Sequence, residues 1–226
     1  MKKFIVLDID ATLVHTHGDD EEYIDMKFMS NSNMAKYRKR IYSMKLSDVT
    51  TYPGSGEELK LYGIYRPHLK EFLEFCFRYF EGGVIIWSAG KKKYVEKMCE
   101  LMFVDRKKQP LVIYNYDDCD IYDDRIHKPL TKLYNDKRIS GMNETNTYVI
   151  DDRNDTFALN KGNGVMIPEF EANMDLSGLK KSDDNLLKLM GWFMSPEVRN
   201  TSDARTTSKT KIFNTSTDEY LKMLDK

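Results

Sequence analysis

The stretch KFIVLDIDATLVHTH, Lys3 to His17, decides how the rest of the chain reads. Its first half, KFIVLDID, is a short apolar run rich in branched residues, the pattern of a parallel strand buried on both faces. Alternation along that strand puts Asp8 and Asp10 on the same side. Two carboxylates that close repel unless a cation lies between them or one keeps its proton. The pair therefore points to a hard metal ion, or to a division of labour between an ionised and a protonated acid.

Outward from this strand, the chain alternates strand and helix signals. RPHLKEFLEFCFRYFEGG places Pro67 at a first helical position and repeats Leu69, Phe72, Leu73, Phe75, Cys76 and Tyr79 at helical spacing, with Gly82-Gly83 as the stop. VIIWSAG reads as a second buried strand ending in small residues. KKKYVEKMCELM reads as a helix that turns Tyr94, Met98, Leu101 and Met102 inward. LVIYNYD, TYVIDD and GVMIPEF are further strands, HKPLTKLY opens a helix and NLLKLMGWFM is a last packed helix. Between Gly18 and Gly63 the chain is polar and weakly patterned. There EYIDMKF and LKLYGIY alternate as strands, PGSGE reads as a turn, and MAKYRKRIYSMKL suits a strand or an amphipathic helix equally.

This is the grammar of an α/β, doubly wound, mostly parallel sheet, which places ligands beyond the carboxyl ends of its strands. The residues at those ends are Asp8 and Asp10, Ser88, and Asp151 and Asp152. Each alone has an ordinary reading as a cap or loop residue. Adjacent acids at the end of an apolar strand, as in VIDDRND, are costly without a cation.

Composition narrows the class. The chain has 226 residues, 41% of them hydrophobic, and a formal net charge of -1. It is long enough for a full core and carries no overall field for nucleic acid or a membrane surface. Cys76, Cys99 and Cys119 stand singly, as expected in a reducing compartment, and with His15 and His17 they match no zinc spacing. The DDCDIYDD run lacks the central glycine and terminal Glu of a calcium loop and reads as solvated surface. No membrane-spanning stretch or signal-peptide pattern is present, so a soluble, intracellular protein is expected.

Taken in order, the motifs resemble those of the haloacid dehalogenase superfamily. LDIDATLVH resembles its first motif, DxDxT, in the form carried by the small phosphatases that act on the C-terminal domain of RNA polymerase II, the NLI-interacting-factor-like group. YRPHLKEFLEF is similar to their arginine-proline helix, VIIWSAGKKKYVEKM to their second motif, HKPLTKL to their lysine motif, and YVIDDRNDTFALNKGNGVMIPEF to their fourth. Ala11 replaces a commonly acidic residue, and Asp152 stands where Asn is usual. The resemblance implies one phosphatase domain over 1–195, with insertions at 18–63 and 103–127 and no large cap. A polar Ser/Thr-rich tail with a short terminal helix would follow over 196–226.

The same resemblance implies the chemistry. Asp8 would be the nucleophile that forms an aspartyl-phosphate, and Asp10 the general acid and base. Asp8, the backbone carbonyl of Asp10, Asp151 and Asp152 would hold Mg²⁺, with Asp151 alternatively orienting the motif lysine. Lys128, preferred to Lys132 on motif alignment, would neutralise the phosphoryl group. Ser88 and the amides after it, beginning at Ala89, would hold its oxygens, and Thr12 would support the loop.

Little room for a closing cap suits a large substrate, so a phosphorylated protein segment is expected, with basic clusters KYRKR, KKK and RKK to guide it. No membrane partner is expected. A nucleic-acid 3′-phosphate or nucleotide phosphatase, and a catalytically silent protein-binding relative, are the alternatives.

Overall fold

The chain from Phe4 to Leu7 forms β1, and its alternate residues are buried in two different cores. Ile5 and Leu7 join one hydrophobic cluster, Phe4 and Val6 the other. That two-sided burial explains an apolar run without polar alternation. The computed structural model describes residues 2–18, 32, 35, 37–47, 56, 58–172, 179–180 and 182–224.

Within these, β2 is Val14–His17, β3 Ile41–Ser47 and β4 Glu58–Tyr65, followed by α1 (Leu69–Tyr79), β5 (Gly83–Trp87) and α2 (Lys92–Met102). Then come β6 (Ile113–Tyr114), β7 (Asp120–Tyr122), β8 (Arg125–His127), α3 (Thr131–Tyr134), β9 (Thr147–Asp151) and β10 (Gly164–Met166). The last helices are α4 (Asn185–Met194), α5 (Pro196–Asn200) and α6 (Thr217–Leu224). Five strands form one sheet in the order β10-β9-β1-β5-β6, with every pairing parallel. The protein is thus a mixed α/β fold on a parallel sheet. One face packs Phe72 and Cys76 of α1, Val95 and Met98 of α2, and Leu189 and Phe193 of α4. The other face packs Leu130 and Leu133.

Two small antiparallel sheets flank this core: β2-β4-β3, and the hairpin β7-β8. The segment that suits strand or helix equally is the strand β3 after a 3₁₀ turn at Arg38–Arg40, because Tyr42, Met44 and Leu46 alternate into the core. EYIDMKF lies outside the described residues, as does PGSGE except Gly56. Helix α1 begins at Leu69 rather than Pro67, since His68 at its N-cap takes a left-handed φ of 64° that no helical turn includes. The DDCDIYDD run is folded: Asn115 and Asp118 close a capping box, and Asp123 and Asp124, both at positive φ, turn the hairpin.

The Ser/Thr-rich stretch after Ser195 packs on the domain. Val198, Ala204 and Ile212 belong to the main core, and Lys3 donates to the Val198 and Arg199 carbonyls. Trp192 Nε1 donates to the Ser208 carbonyl at 3.0 Å. Among the described residues, no helix is long and apolar enough to cross a membrane.

Candidate active site

Parallel pairing fixes the site's frame. Leu7 lies beside Ile86 of β5 and Ile150 of β9, so Asp8, Ser88 and Asp151 leave the sheet at one edge. The Asp8 N–H donates to the Ile150 carbonyl at 3.0 Å, which holds Asp8 within the ladder. Lys128 arrives from the loop after β8, its own N–H anchored on the Thr156 carbonyl at 2.7 Å.

The Lys128 ammonium bridges two carboxylates. It donates to Asp8 Oδ1 at 2.7 Å and to Asp151 Oδ2 at 2.6 Å, and all three residues are buried. Burial acts to lower the Lys128 pKa, but Asp151 and Asp8 outweigh it and raise it above the usual lysine value. Burial pushes Asp8 well above the usual carboxylate range against the pull of Lys128, and neighbouring Asp151 adds to the rise. Asp151 Oδ1 accepts from the Arg153 N–H at 2.9 Å, so both its oxygens are engaged.

Asp152 completes the cluster. Oxygens of Asp8, Asp151 and Asp152 all lie within 4.8 Å of one another. One ammonium among three carboxyl groups leaves the group two charges negative when all three are ionised, and burial followed by repulsion from Asp151 raises the Asp152 pKa. Hard oxygen donors with that charge fit Mg²⁺. Thr12 is fully buried and serves Asp152 twice: its hydroxyl donates to Oδ1 at 3.0 Å and accepts from the Asp152 N–H at 3.0 Å.

The loop between β1 and β2 is stiffened at both ends. Ala11 adopts φ 55°, and its carbonyl accepts from the Phe170 N–H at 2.7 Å. Arg66, 1% exposed, grips Asp183 through Nε at 3.0 Å and Nη2 at 2.9 Å, and donates to the Thr12 carbonyl at 2.9 Å and the Pro168 carbonyl at 2.7 Å.

The Asp10 side chain takes another direction from Asp8. Its Oδ1 accepts from the Tyr94 hydroxyl and from Thr16 Oγ1 at 3.2 Å. Burial raises the Asp10 pKa despite these two bonds. Ser88 is buried, and its Oγ accepts from the Gly90 N–H at 2.9 Å in the turn that contains Ala89. Lys132 lies apart from this cluster, paired with Asp120 at 2.6 Å on the outer hairpin. Cys76 and Cys99 are packed in the core, and His15 and His17 stack edge to face on β2.

Residues 3–205 match the family described as NLI interacting factor-like phosphatase. The chain belongs to that family. Over 203 residues it is 23% identical to the ubiquitin-like domain-containing CTD phosphatase 1 of Xenopus tropicalis, across 78% of this chain and 61% of that protein. It thus spans less than two thirds of that relative's length. The structure of a fission yeast RNA polymerase II CTD phosphatase, Fcp1, solved as an arginine-to-alanine variant bound to beryllium fluoride, superposes with a TM-score of 0.58 at 22% identity, covering 75% of this chain and 42% of that one. A second structure, of Fcp1 described as an essential RNA polymerase II CTD phosphatase, gives a TM-score of 0.58 at 21% identity, with the same coverages. The two superpositions show that this chain shares the fold of those structures.

Three participants escape the sequence. Tyr94 reads as a core residue, and Thr16 and Tyr42 carry no motif; alternation along β2 does set Thr16 on the buried side of Val14, the one signal that points inward. Arg66 is visible as a motif residue, but its partner Asp183 lies 117 positions away.

Proposed function

We propose that this chain is a Mg²⁺-dependent phosphatase of phosphoserine and phosphothreonine in protein, working through an aspartyl-phosphate on Asp8. The observation that carries the reading is the buried Lys128 held between Asp8 and Asp151, with Asp152 beside them. A lysine fixed there has no packing purpose that a methionine would not serve, and desolvation makes its charge effective against a phosphoryl group.

Asp8 attacks phosphorus with Oδ2, since Lys128 holds Oδ1. Asp10, whose proton affinity burial raises, protonates the leaving oxygen and then takes a proton from the water that attacks the acyl phosphate. Ser88 and the Ala89 N–H receive phosphoryl oxygens. Asp151 orients Lys128, and Thr12 orients Asp152. Asp8, Asp152 and the Asp10 carbonyl would hold Mg²⁺, with Asp151 as a further ligand, and the ion would supply positive charge for the phosphoryl oxygens. The curated relative is named as a CTD phosphatase and Fcp1 as an RNA polymerase II CTD phosphatase, which supports a phosphorylated protein segment for this chain.

The test is phosphate release from a phosphoserine peptide with Mg²⁺, in competition with a 3′-phosphorylated oligonucleotide. Turnover of the peptide with the oligonucleotide left intact is expected. Preference for the oligonucleotide overturns the protein-substrate reading, and hydrolysis of neither indicates a silent binding relative.

A further inference from the structure

The hydroxyls around Asp10 form a chain that the catalytic roles above leave unused. Thr16 Oγ1 lies 2.6 Å from the Tyr94 hydroxyl and 2.7 Å from the Tyr42 hydroxyl, and Tyr94 bonds Asp10 Oδ1. Tyr94 donates to Asp10 and Tyr42 can donate to Thr16, while the one Thr16 proton goes either to Asp10 Oδ1, at 3.2 Å, or to Tyr94. The three hydroxyls come from β2, β3 and α2, so three separate elements converge on one carboxylate oxygen.

Space for this convergence is made at Gly63 of β4. A Cβ there would lie 2.2 Å from the Tyr42 ring and hydroxyl and 2.6 Å from the His15 carbonyl. The absent side chain lets the Tyr42 ring cross the strand and reach Thr16.

We propose that Tyr94, backed by Thr16 and Tyr42, is a positioning residue that fixes the Asp10 carboxyl by Oδ1 and so presents the proton on Oδ2 to the leaving group. The proposal rests on the phosphatase reading and deepens it. In the first step the bond from Asp8 to phosphorus forms while the bond from phosphorus to the leaving oxygen breaks, and that oxygen takes the Asp10 proton. The need for this proton depends on the leaving group. A serine alkoxide cannot leave without it, whereas a nitrophenolate can.

The experiment compares wild type, Tyr94→Phe, Asp10→Asn and the double variant, each with Mg²⁺, on a phosphoserine peptide and on p-nitrophenyl phosphate. Phenylalanine keeps the ring, and Thr16→Val is a second variant that removes a hydroxyl bonded to both Asp10 and Tyr94 while leaving the Tyr94 side chain itself in place. Loss of a hydrogen bond to the reacting acid is expected to lower kcat/KM on the peptide by roughly 10- to 100-fold. On the nitrophenyl ester the loss in kcat/KM, which excludes the later water attack that also uses Asp10, should be less than about threefold. Thr16→Val should give a smaller loss with the same substrate dependence, and Tyr94→Phe should add nothing to Asp10→Asn. Equal losses on both substrates, or a full loss retained in the Asp10→Asn background, assign Tyr94 a packing role and overturn the proposal. If wild type hydrolyses neither substrate, the phosphatase reading falls first and the positioning role falls with it.

Discussion

Two lysines four residues apart, Lys128 and Lys132, make the same contacts on paper and opposite ones in physics. Each ammonium engages two partners: Lys128 holds Asp8 and Asp151, and Lys132 holds Asp120 and the Asp118 carbonyl at 2.8 Å. The Lys128 side chain is 3% exposed, whereas those of Lys132 and Asp120 are 36% and 45% exposed. Water screens the outer pair, so its attraction is offset by the entropy of holding two mobile chains. The inner pair has no such screening, and each member depends on the other to remain charged. Distance alone does not distinguish a structural tie from a chemical device; burial does.

The strongest way to break the comparison is Lys128→Met, which leaves Asp8 and Asp151 buried without a counter-charge. A loss of about 3–5 kcal/mol of stability is expected in metal-free urea unfolding, together with loss of turnover. Adding Asp151→Asn to that variant should restore part of the stability but none of the activity, because the remaining carboxylate no longer faces a second one. Mg²⁺ should raise the melting temperature of wild type, with a gain of about 2.7 kcal/mol at a hundredfold excess over its Kd. Asp152→Ala should largely abolish that gain. Thr12→Val leaves the Asp152 N–H and carboxylate without their shared hydroxyl and should cost about 1–3 kcal/mol. Lys132→Met, the exposed counterpart, should change stability by less than about 1 kcal/mol and leave hydrolysis of a small aryl phosphate untouched. A Lys132→Met effect as large as that of Lys128→Met would erase the distinction.

The frame of the fold was legible because β1, β5 and β9 are buried on both faces and therefore read as continuous apolar runs. Their ends deliver Asp8, Ser88 and Asp151, so the site's acids were legible with them. The details that were not legible depend on contacts distant in sequence. Tyr94 has the spacing of a core residue and a partly buried ring packed against the core, and only the approach of β2 and β3 gives its hydroxyl a destination. His68 has no local feature that announces a left-handed N-cap, so the helix start read as Pro67 lies two residues early. The stretch after Ser195 is Ser/Thr-rich and polar, a composition that does not say whether it docks. A few well-placed apolar side chains, Val198, Ala204 and Ile212, outweigh its serines and threonines.

The most direct measurement is hydrolysis of a generic aryl phosphate by wild type and by Asp8→Asn, with Mg²⁺ and with a chelator. The expected result is turnover that requires Mg²⁺ and falls by at least about a thousandfold in Asp8→Asn, because the amide is no longer a nucleophile. Wild-type rates retained by Asp8→Asn, or turnover indifferent to Mg²⁺, would contradict the assignment of Asp8 as the group that attacks phosphorus.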